Sequence, residues 1–217
     1  GNIVTNEHVV EGCNNMTIVI DGEEIKAEVI ATDNVNDLAL LKTEFKNKNY
    51  FKLSKDDVDR SQPVKAIGYG FGKNYSSDIK VTAGIVNSLS GYNDNYSEFQ
   101  MDAAIQSGNS GGPVINEEGQ VVGVSVAALD SIAVLEDTGT LPQNVNYAIK
   151  TSTLKQFLNS KDIHYEESGS GLFSFFGNSN DSINDLIDDA SVYLSCYMTY
   201  AQIEENMTTK VMFENIK

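Results

Sequence analysis

Short apolar runs rich in β-branched residues, separated by turn residues, follow one another from the start of the chain to about residue 150. Residues 2–5, 16–20, 26–32 and 38–42 read as strands, with Asp21 and Gly22 forming a turn after the second. The polar stretch SKDDVDRSQ at 54–62 interrupts the pattern and reads as a linker. Strand patterns resume at 64–68, 80–89, 99–103, 112–115, 121–126 and 145–149, with turn chemistry between them, notably Glu117-Glu118-Gly119. Such short, closely spaced strands predict an all-β barrel or sandwich and argue against βαβ units.

The period then changes. Residues 151–159 (TSTLKQFLN) predict a short helix. Residues 166–181 are rich in Gly, Ser and Asn and read as a linker, although LFSFF at 172–176 forms an apolar island suited to docking on the body of the protein. A further helix is predicted from Ser182, which caps it with Asp185 at the third position, and Ile183, Leu186, Ile187 and Ala190 supply its apolar stripe. The aromatic and β-branched residues of 192–200 fit either a continued helix or a strand. The expected organisation is a first β unit over 1–55, a second with its closing helix over 56–160, a linker over 161–181 and an α-helical or mixed extension over 182–217.

Composition narrows the partners. The chain of 217 residues is 41% hydrophobic and 21% charged, ordinary for a globular protein. Its 15 Lys and Arg against 31 Asp and Glu give a net charge of −16. Such a surface repels nucleic acid and anionic membranes, and no apolar run reaches the roughly 18 residues of a membrane helix. Neither nucleic-acid binding nor membrane insertion is expected. Cys13 and Cys196 are far apart and lack metal-ligand spacing, so no metal is expected; one disulfide or two thiols remain open. The chain opens with GNIVTN, already inside the strand leading to His8, so it reads as a piece of a longer protein and says nothing of targeting.

The chemistry resides in three segments. QSGNSGGP at 106–113 is preceded by TNEHVV at 5–10 and NDLALLK at 36–42, which supply Ser110, His8 and Asp37. Their chain order, His then Asp then Ser, is that of chymotrypsin-type proteases. A serine hydroxyl needs a base to take its proton, and His8 is one of only two histidines. Asp37 would accept the other ring N–H. It is preferred to Asp33 because it abuts the apolar run LALL, where a carboxylate can be held, whereas Asp33 lies in a turn-like stretch. Gly108 and Gly111 allow a tight turn, and the amides of Gly108 and Ser110 can point at a developing oxyanion, typically worth about 3–4 kcal/mol. His164 falls in an acidic stretch and reads as a surface residue.

These segments, with AIGYGFG at 66–72, VTAGIVNSL at 81–89, DAAIQSGNSGGPVIN at 102–116, GQVVGVSVA at 119–127 and NYAIK at 146–150, resemble trypsin-like serine peptidases of the HtrA/Deg type. The likeness runs over roughly residues 1–160. It implies the chymotrypsin fold, two perpendicular six-stranded β-barrels with the triad between them, the first barrel incomplete because its opening strands lie upstream of Gly1. It further implies an endopeptidase of extracytoplasmic protein quality control, acting on polypeptides without cofactor, with homo-oligomers a possibility. Two departures stand out. Ser107 replaces a frequent proline, and the residues after the closing helix are too few for the PDZ domain such enzymes commonly carry.

The position six before the nucleophile, acidic in trypsin-like enzymes that select basic side chains, is Ala104. The pocket strand reads Ser125-Val126-Ala127-Ala128 where glutamyl-specific relatives carry His. Ala104, Val126 and Ala128 are therefore expected to line a small apolar pocket, favouring cleavage after Val, Ile or Ala. The alternative is a silent or autoinhibited protease-fold binding or chaperone-like module whose acidic tail occludes the cleft.

Overall fold

The computed structural model describes residues 1–20, 22–47, 49–70, 78–126, 144–168 and 180–209, with side chains in the last segment for 183–204 only. Its first sheet is built from β1 (Asn2–Thr5), β2 (Asn15–Ile20), β3 (Glu23–Asp33) and β4 (Leu38–Thr43), joined by β13 (Tyr193–Tyr197) from the far end of the chain. The order is β1-β4-β3-β2-β13, antiparallel throughout. A one-turn helix, α1 (Glu7–Val10), follows β1.

The second unit closes on itself. Strands β6 (Pro63–Gly68), β7 (Lys80–Ser88), β8 (Glu98–Met101), β9 (Pro113–Ile115), β10 (Val121–Val126) and β11 (Asn146–Lys150) run in the order β11-β8-β7-β6-β9-β10, and β10 pairs back onto β11. Six strands thus form a closed barrel with no free edge, the arrangement that removes unpaired backbone groups. The short strands β5 (Leu53–Ser54) and β12 (Glu167–Ser168) extend the sheet beyond β10. Helix α2 (Thr151–Ser160) packs Leu154, Phe157 and Leu158 inward; α3 (Asn180–Ala190) and α4 (Tyr200–Thr209) flank β13 in sequence.

The run LALL is apolar at every position because β4 is buried on both faces. Ala39 and Leu41 face the core of the first sheet with Met16, Ile18 and Ala27, whereas Leu38 and Leu40 face a shared core with Ile67, Ile115, Val121 and Val124. All four residues of the run have no solvent exposure. A strand held on both faces is a rigid mount for the residue before it, Asp37.

The all-β expectation therefore holds, with one closed six-stranded barrel and, for the incomplete first barrel, an open five-stranded sheet. Predicted strand limits differ from the observed ones by a few residues. Three expectations change. Residues 54–62 were expected to be a linker, but Leu53 and Ser54 pair in the sheet, and Val58 is buried in the barrel core. The linker expected over 161–181 contains β12, paired with β5 and tied by Lys155 to Glu167 at 2.8 Å; LFSFF lies outside the described residues. Helix α3 begins at Asn180, two residues before the expected Ser182 cap. The open choices resolve too: 193–197 is a strand, and Cys13 and Cys196 form a disulfide with Cα atoms 5.4 Å apart.

Candidate active site

His8 is carried by α1 immediately after β1, and Asp37 by the turn entering β4. Pairing of β1 with β4 brings them together, Thr5 lying opposite Ala39. The His8 backbone N–H donates to Asp37 Oδ1 at 2.9 Å, and Nδ1 meets Asp37 Oδ2 at 2.7 Å. Two bonds to one carboxylate fix the ring plane and leave Nε2 as the outward nitrogen. Asp37 itself adopts a left-handed backbone, φ 52°. Asn6, fully buried, donates from its side-chain amide to the Asp37 carbonyl at 2.9 Å and holds that conformation.

Asp33 is employed elsewhere. Its carboxylate accepts from the Val35 and Asn36 amides and the Asn36 side chain, closing the turn that delivers Asp37. Burial pushes that carboxyl up, but the hydrogen bonds from Asn36 and Val35 outweigh it and hold it below its ordinary value.

Ser110 sits in the tight loop between β8 and β9, half-buried. The Asn109 amide donates to Gln106 O at 2.9 Å, the Gly111 amide to Ser125 O at 2.9 Å and the Gly112 amide to Asn109 O at 3.0 Å. The amides of Gly108 and Ser110 have no intramolecular acceptor among the described residues, which leaves two N–H groups on either side of Asn109 available to a ligand. Gly108 and Gly111 both have positive φ, 96° and 80°. A side chain at Gly111 would collide with Thr5 Oγ1 and the Asn6 backbone, so this glycine lets the Ser110 loop lie directly against the strand that delivers His8.

A cavity of about 700 Å³ opens between the two sheets. His8, Ser110 and Gly108 share its lining with Tyr69, Leu154 and Leu194. No hydrogen bond joins Ser110 to His8 among the described residues. Such a bond often tightens only on substrate binding. Glu98 on β8 is half-buried; burial chiefly, and then the charge of Asp37, push its carboxyl up.

Of the residues expected to form the pocket, Ala104 is exposed and Val126 half-buried, and neither lines this cavity; Ala128 lies outside the described residues. His164 is exposed, as expected. Sequence reasoning missed three supporting residues. Ser125, with no solvent exposure, donates from Oγ to Asn109 O at 2.5 Å and so pins the Ser110 loop to β10. Asn6 lies inside TNEHVV, yet nothing in the motif distinguishes its buried amide. Asn109 is buried, its carbonyl accepts from Ser125 and Gly112, and its side-chain oxygen has no partner among the described residues.

The trypsin-like peptidase domain family matches residues 1–124. The chain belongs to the trypsin-like peptidase family. Among relatives, it is 40% identical over 130 residues to a probable periplasmic serine endoprotease, DegP-like, of Halomonas elongata, which covers 58% of this chain and 27% of that protein. It is 35% identical over 155 residues to the serine protease Do-like HtrB of Bacillus subtilis, covering 65% and 33%. A serine endoprotease from Yersinia pestis superposes with a TM-score of 0.60 at 25% identity, covering 74% of this chain and 53% of that one. This trypsin-like chain thus spans a third or less of the length of these two relatives.

Proposed function

We propose that this chain is a serine endopeptidase working through His8, Asp37 and Ser110. The observation carrying that reading is the bidentate clasp of His8 by Asp37, facing a loop that offers a serine hydroxyl and two unengaged amides. Ser110 Oγ attacks the scissile carbonyl carbon while His8 Nε2 takes its proton. The Gly108 and Ser110 amides hold the oxyanion. His8 returns the proton to the departing amine, leaving an acyl-enzyme that water hydrolyses by the same route. Asp37 stabilises the imidazolium without itself taking the proton. The residues and geometry need no metal or cofactor to complete this sequence.

Ala104, Val126 and Ala128 form the specificity pocket in this reading, and substrates are unfolded polypeptides cut after Val, Ile or Ala. The disulfide favours an oxidising, extracytoplasmic compartment, in keeping with the periplasmic relatives. Fluorophosphonate labelling tests the triad: the wild type labels and Ser110→Ala does not. A peptide-library profile tests the pocket, and dominance of Arg, Lys or Glu at the cleaved position would refute it.

One observation favours a second reading, a binding module silenced by its own extension: Ala190–Leu194 line the same cavity as His8 and Ser110. A well-folded wild type that never labels would move this reading ahead.

A further inference from the structure

The proposed reaction leaves the residues after β12 without a role, although the structure builds them into both halves of the site. The closed barrel supplies the template for reading them. There, β8, β11, β10 and β9 pair in that order, and the next strand beyond β9 is β6, antiparallel to it. In the first sheet, β1, β4, β3 and β2 pair in the same relation, and the next strand beyond β2 is β13, also antiparallel. β13 therefore stands in the place that β6 fills in the barrel, the place of a first strand, although it comes near the end of the chain.

Its attachment is extensive. Tyr193 to Tyr197 pair in register with Val19 to Asn15, and Val192 and Leu194 pack on the core of the first sheet. The Tyr197 hydroxyl donates to Glu24 at 2.6 Å, and the Asn14 amide to Tyr197 O at 2.9 Å. Cys196 is bonded to Cys13, which follows α1 and donates its own amide to Val10 O at 3.2 Å. The covalent anchor thus lies one short turn from His8.

The other end of the extension grips the second barrel. Ile183 and Ile187 are 5% and 3% exposed in the shared core. The Tyr69 hydroxyl donates to Ser191 O at 3.3 Å, its ring meets Tyr193 edge-on at 5.3 Å, and its backbone amide donates to Gly108 O at 3.3 Å. A continuous set of contacts runs from the Gly108 loop through Tyr69 and β13 to the disulfide beside α1.

We propose that the C-terminal extension is a positioning clamp for the catalytic site, set by the redox state of Cys13 and Cys196. This rests on the reading of His8 and Ser110 as catalytic partners. Cys196 is exposed, so a small dithiol can reach it. The dithiol's thiolate attacks the disulfide, and exchange yields two cysteine thiols and the reductant's own disulfide, a balanced two-electron transfer. Released from its anchor, β13 holds β2 by hydrogen bonds and packing alone, and the turn after α1 keeps only its hydrogen bonds to Tyr197 and Gln202.

The full chain is to be compared oxidised, reduced by dithiothreitol and reoxidised, beside a Cys13→Ser/Cys196→Ser double variant. Two readouts are taken: the fluorophosphonate labelling rate and amide hydrogen exchange. On reduction, labelling falls by about tenfold and recovers on reoxidation, as expected when a catalytic group is displaced without unfolding. Exchange quickens in α1 and β2 while β6 to β11 keep their protection. The double variant labels at the reduced rate and ignores dithiothreitol; should it fail to fold, the reversible reduction of the wild type still decides. Unchanged exchange on reduction overturns the clamp, as does loosened β2 with an unchanged labelling rate. An oxidised chain that never labels but whose α1 and β2 respond to reduction sinks the proposed activity and leaves the clamp standing.

Discussion

A buried side-chain amide holds the backbone that carries the carboxylate of this site. Asn6 is wholly buried, and its side chain spends its one described bond on the Asp37 carbonyl, in a residue whose backbone is left-handed. Asn6→Ala removes that bond and frees Asp37 to relax. Steady-state kinetics are expected to give a kcat lowered by about tenfold with KM little changed, the pattern of a residue acting through another. The accompanying loss of stability is about 1–3 kcal/mol by urea denaturation. Glu98 supplies a pH signature. Its carboxyl is raised by burial and by Asp37, so its neutral form is favoured in the folded state. That contribution is fully present below the ordinary carboxylate range and is lost as pH rises through the raised value. Glu98→Gln should therefore melt a few degrees above the wild type near neutral pH, and the gap should close in acid. Thermal melts across that range decide it; a gap that persists in acid would assign the effect to packing.

At the level of elements, α3 is joined to the shared core by Ile183 and Ile187 among its described side chains, both deeply buried. Ile183 lies against Gly119 in the turn before β10, whose φ is 76°. Ile183→Ala is expected to destabilise the chain by about 2–4 kcal/mol in urea denaturation, whereas a helix merely tethered to the surface would lose almost nothing. The apolar stripe on α3 was legible in the sequence because its spacing matches one helical face, and the strands through residue 150 were legible because β-branched runs alternate with turn residues. The partner of β13 was not. YLSCY has the composition of a strand, but pairing between segments so distant leaves no local trace, and two cysteines alone do not declare a bond. His8, Asp37 and Ser110 were expected from three recognisable segments in an informative order, and the structure pairs His8 with Asp37. The contacts of Asn6 and Ser125 were not legible, since they depend on which backbone carbonyl folding brings beside each side chain.

For the molecule as a whole, the sheet bearing His8 and Asp37 draws its edge strand from beyond the second barrel, with 183 positions between the bonded cysteines. Every strand of the second barrel, from Pro63 to Lys150, leaves the ribosome before that edge strand does. Until β13 is made, β2, with its apolar MTIVI, has β3 as its only partner among the described residues. An open apolar edge of this kind is a template for wrong partners, and contacts of long sequence separation form slowly. The net charge of −16 opposes such encounters between nascent chains by mutual repulsion. Biogenesis of this protein is therefore most exposed to aggregation between closure of its second barrel and arrival of β13, and the bond between Cys13 and Cys196 then locks that late pairing in place.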